Sequence, residues 1–430
     1  MGDFQDSTDR KEKCLPIYEE LKAKEERRRA RREAEIKRQK RAKRIRIAII
    51  CGVVAVLITA GALVYTKVFI LPKKYAEAEM IITEGDKASA AIAFAKLGKY
   101  KDAQERSMKL WNEIAMRETV VVSSNHTVGL KEDGTVVATG YNNYGQCDVK
   151  SWKDIIALAA GDDLSVGLKG DGTVVATGDN DAGQCNVENW SDIVAISSGW
   201  DHIVGLKADG TVVATGHNDW GQCDVGCWSD IVALAASPFH TVGLKEDGTV
   251  VATGSNDTGR CDVGNWSDIV AIYASTDHTV GLKADGTVVA TGENHTGQCD
   301  VESWSDIVAI YAGLSHTVGL KADGTVVAAG FDGLYNFYDR SDVESWSDIV
   351  AVYADLSRAV GLKRDGTVVA TGYNDVGQCD VENWSDIVAI YPSTDHTVGL
   401  KEDGTVLAVG YNAAGQCDVQ GWSDIRLPHN

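Results

Sequence analysis

One unit of 38 residues, repeated eight times, fills this chain from about Thr119 to Ile425, and a repeat of that period constrains the architecture before any single residue is weighed. Its Gly-Leu-Lys step recurs at Gly129, Gly167, Gly205, Gly243, Gly281, Gly319, Gly361 and Gly399. Successive intervals are 38 residues except for one of 42, so the copy ending before Gly361 carries a four-residue insertion. Each copy is a series of β-branched runs separated by turn residues, with no helical period. An Asp-Gly pair, at Asp133-Gly134 and its seven equivalents, supplies the positive φ of a tight hairpin. The pattern predicts a small antiparallel sheet per repeat. Its first strand is the Ile-Val-Ala-Ile run, its second His-Thr-Val-Gly-Leu-Lys, its third Thr-Val-Val-Ala-Thr-Gly, and a short fourth element follows around Cys-Asp-Val.

Charge divides the chain. Residues 1–46 hold 17 basic and 10 acidic side chains, whereas residues 119–430 hold 15 basic and 44 acidic ones. A repeat domain that acidic repels nucleic acid and anionic membrane surfaces, so no nucleic-acid partner is expected. Between Ile47 and Thr66 lie 20 uncharged residues, enough for about 30 Å of helix and one bilayer crossing. The flank before it is dense in base (Arg38, Lys40, Arg41, Lys43, Arg44, Arg46), which keeps residues 1–46 in the cytoplasm and exports everything from Lys67 onward. Ala60-Gly61-Ala62 has the small-residue look of a cleavage site, but the flank and the apolar run are both too long for an ordinary signal peptide.

Residues 19–46 favour a solvated helix, with Glu/Arg pairs four apart such as Glu25/Arg29. Residues 73–118 turn alanine-rich, with Tyr75, Ala78, Phe94, Leu97 and Tyr100 at helix-hairpin spacing and Gly85-Asp86 as a turn. The expected organisation is therefore a basic cytoplasmic helical segment (1–46), a single-pass transmembrane anchor (47–71), a tetratricopeptide-like helical hairpin or stalk (73–118) and the repeat domain (119–430).

The stretch from Ile196 through Ser197, Ser198, Gly199, Trp200, Asp201 and His202 to Leu206 resembles the repeat of the family named for the regulator of chromosome condensation. Its short units are also similar to the bacterial ones of propeller β-lactamase inhibitors. The resemblance covers about 310 residues. It implies a mainly β fold, a β-propeller, commonly seven-bladed in that family. Eight full copies with eight Trp-x-Asp-Ile ends (Trp152, Trp190, Trp228, Trp266, Trp304, Trp346, Trp384, Trp422) predict eight blades here, with seven plus a displaced copy as the alternative. The family's eukaryotic founder exchanges nucleotide on a small nuclear GTPase and sits on chromatin. Fold does not carry function, and an acidic, exported, tethered chain is badly placed for that work.

Repetition also argues against chemistry at the repeated positions. Seven cysteines (Cys147, Cys185, Cys223, Cys261, Cys299, Cys379, Cys417) hold one position, where neighbouring sheets of a propeller stand on the order of 10 Å apart, beyond disulfide reach. They are expected to be small buried thiols. His126, His202, His240, His278, His316 and His396 hold another, replaced by Leu164 and Arg358 in units two and seven. A side chain present in six copies is expected to serve each blade's own hydrogen bonding, and the repeated tryptophans blade-to-blade packing. Asn142 and its equivalents are expected to bond their own loops. No nucleophile elbow, phosphate-binding loop, zinc motif or calcium loop occurs, so neither cofactor, metal nor catalytic residue is expected.

The informative residues break the repeat. Because strands alternate in direction, the loops after strands one and three emerge on one face and the Asp-Gly turns on the other. On the first face Tyr144, Trp200, Trp220, Phe239, Phe331, Tyr335, Phe337 and Tyr338 are aromatics where other copies carry small or polar residues. Irregular aromatics on rigid loops are the chemistry of recognition. The expectation is a membrane-anchored extracellular binding protein that meets a protein, peptide or cell-wall ligand with this face. The alternatives are an exported glycan-processing or hydrolytic enzyme, marked by converging carboxylates, and a non-binding spacer or adhesin, marked by buried loop aromatics.

Overall fold

The Asp-Gly pair of each repeat forms a hairpin tip. Gly134 takes φ +79°, and the Asp133 carboxylate accepts hydrogen bonds from the Thr135 N–H at 2.9 Å and the Thr135 hydroxyl at 2.6 Å. The same construction recurs in every repeat, as at Asp209 and Thr211. A computed structural model of the chain describes residues 67, 70–83, 94, 97, 101, 106, 118–330, 340–355 and 358–428. The chain divides into two compact units, Met1–Lys73 and Lys74–Asn430.

Around the hairpins the repeats build eight antiparallel sheets of three strands each. In the third sheet the strands Ile193–Ser198, His202–Lys207 and Val212–Gly216 pair with Ser198 opposite Ile203 and His202 opposite Gly216. Ile193 and Ala195 straddle a β-bulge that recurs at the start of the first strand in sheets two to eight. The middle strands are buried on both faces, which explains their apolar runs broken only by glycine and His/Thr pairs. The short fourth element around Cys-Asp-Val is a turn. In the first copy Asp148 N–H reaches Gly145 O at 2.9 Å, which curls the chain away from the ladder.

Three features knit each sheet to the next. First, the Trp of one unit lies on the strand-two glycine of the following unit. A methyl group at Gly205 would stand 2.7 Å from the Trp190 ring, so the Gly of Gly-Leu-Lys is the space that ring requires. Second, the Asp of Trp-x-Asp-Ile takes a left-handed φ of about 60° in all eight copies, a conformation Asp tolerates better than most residues. At Asp192, its carbonyl accepts Ala208 N–H at 2.9 Å while the next residue, Ile193, donates to Gly172 O of the preceding hairpin at 3.0 Å. Third, His202 Nε2 lies 3.0 Å from the Thr241 hydroxyl of the following sheet, and the Thr215 hydroxyl donates to Gly183 O of the preceding unit at 2.8 Å.

All three recur between the eighth sheet and the first. Trp422 lies on Gly129, Ile425 bridges Lys131, His396 Nε2 lies 2.8 Å from the Thr127 hydroxyl, and the Thr139 hydroxyl donates to Gly415 O at 2.8 Å. First strands touch the first strands of neighbouring sheets, so they form the inner edge. There Tyr273, Tyr311, Tyr353 and Tyr391 occupy one register position in sheets five to eight, with ring centroids 5.4 Å apart for Tyr273 and Tyr311 and 4.5 Å apart for Tyr311 and Tyr353.

The histidines serve their own blade and the next one: Nδ1 of His126, His240 and His396 lies on a serine hydroxyl of the same unit, while Nε2 bonds across to the following sheet. Where unit two carries Leu164, its partner position carries Ile203. Both side chains are buried, and an apolar contact replaces the His–Thr bond. The cysteines are free, with Cys379 and Cys417 buried and the other five of the set only half-buried. Burial pushes the Cys147 thiol up to about 11, which keeps it protonated and a poor nucleophile at neutral pH.

Before the sheets, a helix spans Leu71–Thr83, beginning just inside the segment assigned to the anchor. Tyr75 meets Phe94 edge to face at 5.2 Å, and Arg106 donates to the Tyr75 hydroxyl at 3.2 Å and to Glu79; most of the segment expected to form the helical hairpin lies outside the described residues. Among the described residues no helix is long and apolar enough to cross a membrane. The apolar run 47–66 and the basic segment 1–46 lie outside the described residues.

Candidate functional site

Loop geometry brings Trp200, Trp220 and Phe239 together. Strand one of the third unit ends at Ser198, and the next residue is Gly199 where several copies have Ser. A methyl there would stand 2.4 Å from Ser237 O, so the missing side chain lets the fourth unit's loop close against the third's. That approach places the Trp200 and Phe239 rings edge to face with centroids 5.7 Å apart. It has a cost. In three of the four copies with serine the hydroxyl lies on the histidine Nδ1, as Ser237 does to His240 at 2.7 Å, whereas in the fourth Ser275 donates to Gly313 O; among the described residues neither His278 Nδ1 nor His202 Nδ1 has a hydrogen-bond partner.

Trp220 arrives from the loop after strand three. Gly221 turns with φ +80°, Asn218 Oδ1 accepts Cys223 N–H at 2.7 Å, and Gln222 Oε1 accepts the Trp220 N–H at 3.2 Å. These bonds are the loop role expected for the repeated asparagines. They hold Trp220 edge to face on Phe239 at 5.1 Å, with His217 on its other side at 4.9 Å. Phe239 is half-buried between the two indoles, which are themselves 43% and 48% exposed. The trio is a closed ridge whose outer faces meet solvent. Its rings touch one another, so it is not an open cage for a cation.

Two further residues complete the site. Arg260 stands where most other copies carry Gln, is buried, and places its guanidinium carbon 5.8 Å from the Phe239 ring while donating to Thr276 O at 2.8 Å and facing Asp277 at 3.5 Å. His217 lies 2.9 Å from Gln222 Nε2 and 3.2 Å from Asp219. The Arg260 signal was legible as a break in the Gly-Gln-Cys step. Tyr144 is 51% exposed and leans on Tyr141 at 6.2 Å, a separate aromatic on the first unit's loop. Phe331, Tyr335, Phe337 and Tyr338 lie outside the described residues.

Beside Trp200 the face is acidic. Gly161, whose added methyl would meet Trp200 O at 2.5 Å, leads directly into Asp162 and Asp163. Burial, then the neighbouring charges of Asp163, Asp201 and Asp395, raise the Asp162 pKa against one bond from Ser124; burial and the charges of Asp179 and Asp201 raise that of Asp163. Asp201 is raised by burial and by Asp179, with His217 opposing. The hairpin face differs. There the carboxylates of Asp133, Asp171, Asp209 and their equivalents are held below the usual range by their Thr hydroxyl and N–H donors, so each is already engaged. Among the described residues no group of His, Cys, Asp and Glu is arranged to hold a metal ion.

Eight blade-like sheets from a 38-residue unit, with the loops after strands one and three on one face, define a β-propeller repeat protein. The Regulator of chromosome condensation (RCC1) repeat matches residues 118–146, 155–184, 193–222, 231–260 and 269–298, so the region 118–298 carries repeats of that kind. No curated protein sequence matches it significantly. Among solved structures it is similar to the CRINKLY WD40 ectodomain of the Arabidopsis thaliana receptor kinase ACR4, with 18% identity, 61% of this chain and 96% of that one covered, and a TM-score of 0.47. The ectodomain of the Physcomitrella patens receptor kinase CR4 shares 19% identity over 60% of this chain and 74% of that one, with a TM-score of 0.47. Prp20p of Saccharomyces cerevisiae shares 14% identity over 74% of this chain and 88% of that one, with a TM-score of 0.44. None of these likenesses bears on what this chain binds.

Proposed function

We propose that this chain is a non-enzymatic, membrane-anchored binding protein that holds its propeller outside the cell and meets a protein or peptide partner with the loop face. One observation carries the reading: Trp200, Phe239 and Trp220, contributed by three loops of two adjacent units, form one exposed ridge. Exposed aromatics on braced loops lose little conformational entropy on binding and offer large apolar area. Replacing Trp200 or Trp220 by Ala is expected to weaken partner capture by roughly 2 kcal/mol each, about 30-fold in Kd, with unfolding midpoints close to the parent's. The control is Asp209→Ser on the hairpin face, whose carboxylate bonds only within its own turn. Loss of binding in the control with normal binding in both tryptophan variants would put the site on the wrong face.

Anchoring rests on the 20 uncharged residues from Ile47 to Thr66 behind a basic flank. Protease added to intact cells is expected to digest the propeller and spare residues 1–46. The reverse pattern would invert the topology.

A further inference from the structure

We propose that the occupant of the loop face is a basic, extended protein segment, which lays an apolar side chain on the Trp200–Phe239–Trp220 ridge and its cationic side chains on the adjoining arc of Asp162, Asp163, Asp179 and Asp201. The inference rests on the binding role proposed above and adds the chemistry of the partner. Its first support is where the cations of the propeller stand. Strand two runs from the loop face to the hairpin face, so the lysine of every Gly-Leu-Lys step, Lys131 through Lys401, lies at the hairpin end. Among the described residues the turns at the loop face, such as Ser198–Asp201 and His217–Gly221, contain no lysine; Lys150, Lys153 and Arg340 lie further along the connections that follow strand three, and Arg260 and Arg358 are buried and already paired with Asp277 and Asp355. The turns beside the ridge are therefore anionic, with no exposed lysine or arginine of their own.

The second support is placement. Gly161 lies under the Trp200 backbone, so the arc begins at the edge of the ridge rather than elsewhere on the face. Burial and the charges of neighbouring carboxylates raise the pKa values of Asp162, Asp163 and Asp201, and a cationic side chain set among them relieves both neighbours at once. The third is the ridge itself. Its rings are closed on one another, so the cation is received beside the aromatics by carboxylates, and the ridge takes the apolar side chain. An acidic or neutral segment would bring no counter-charge to the arc.

The test uses the full chain in a neutral detergent, with capped hexapeptides as probes and binding read by calorimetry at two salt concentrations. One probe alternates Arg and Leu, one alternates Glu and Leu, and one alternates Arg and Ser. The Arg/Leu peptide is expected to bind best and to weaken with salt, and the Glu/Leu peptide to show no binding. The triple variant Asp162→Asn, Asp163→Asn, Asp201→Asn keeps an acceptor oxygen at each position and is expected to lose roughly tenfold in affinity and most of the salt dependence. Trp200→Ala with Trp220→Ala is expected to lose affinity while keeping the salt dependence. Equal binding of the Glu/Leu and Arg/Leu peptides, or parent-like binding by the triple variant, overturns the basic partner and leaves the ridge standing. Parent-like binding by the double tryptophan variant overturns the loop-face reading itself.

Discussion

As the pH falls from 7 to 5, the propeller is expected to lose stability steeply, because its sheets are joined by histidines that must stay neutral. His126, His202, His240, His278, His316 and His396 are buried, and burial lowers their pKa values from 6.5 to about 4 for His126, His202 and His316 and to about 3 for His240, His278 and His396. The sign follows from proton counting. Above 6.5 neither state is protonated and the stabilisation is complete, whereas between 6.5 and the folded pKa the unfolded chain binds protons that the folded one refuses. At pH 5 that linkage amounts to about 2 kcal/mol per histidine, so the six together reach on the order of 10 kcal/mol, comparable with the whole stability of a typical domain. The raised carboxyls of Asp162, Asp163 and Asp201 act in the opposite sense, and fewer groups contribute. Urea midpoints measured at pH 7, 6 and 5 test this; midpoints independent of pH would show that the imidazoles are not kept neutral. The chain supplies its own control design. Leu164 packed with Ile203 is an apolar version of the same joint, so His240→Leu with Thr279→Ile is expected to remove one proton from the pH dependence.

The second large effect belongs to Arg358, the seventh unit's replacement for histidine. It is 1% exposed, and its guanidinium donates to Asp355 at 2.6 Å, Gln378 O at 2.6 Å, the Thr397 hydroxyl at 2.7 Å, His396 O at 2.8 Å, and Ser393 O. Arg358→Ala removes the cation paired with the Asp355 carboxylate and one of the donors that reach Gln378 O, His396 O and Ser393 O, and is expected to cost about 3–5 kcal/mol in thermal or denaturant unfolding. Arg358→His with Asp355→Ser installs the serine, histidine and threonine chain seen at Ser393, His396 and Thr127. That double variant is expected to fold with a stability within about 1 kcal/mol of the parent's, because a satisfied neutral network can replace a buried ion pair. A mild effect of Arg358→Ala would mean that water reaches Asp355.

Much of the fold was legible because a repeat reports each structural need eight times. Asp-Gly at every hairpin tip, glycine under every tryptophan and aspartate at every left-handed position are requirements that few other residues meet, and repetition separates them from chance. The loop aromatics were legible for the converse reason, as departures from a pattern that packing had otherwise explained. The direction of the histidine bonds was not legible. In most units a Thr directly follows the histidine, yet Nε2 bonds to the Thr of the next unit, 39 residues away for His202 and Thr241, and only the stacking of sheets makes that choice. The form of the short fourth element was not legible, because the turn bond between Gly145 and Asp148 that curls it is not visible in the residues Cys-Asp-Val.

By itself the sequence determined the number of sheets, their strands, their hairpins and which loops share a face, since these follow from period, alternation and turn chemistry within one unit. The tertiary structure decided which residues from different units meet. The Trp200–Phe239–Trp220 ridge, the support of Arg260 beneath it, the acidic arc beginning at Gly161 and the bonds of the eighth sheet to the first all join residues from different units or sheets. Such contacts depend on how one sheet lies against the next, and that is set by the tryptophan on its glycine and the histidine on its threonine rather than by the local order of residues.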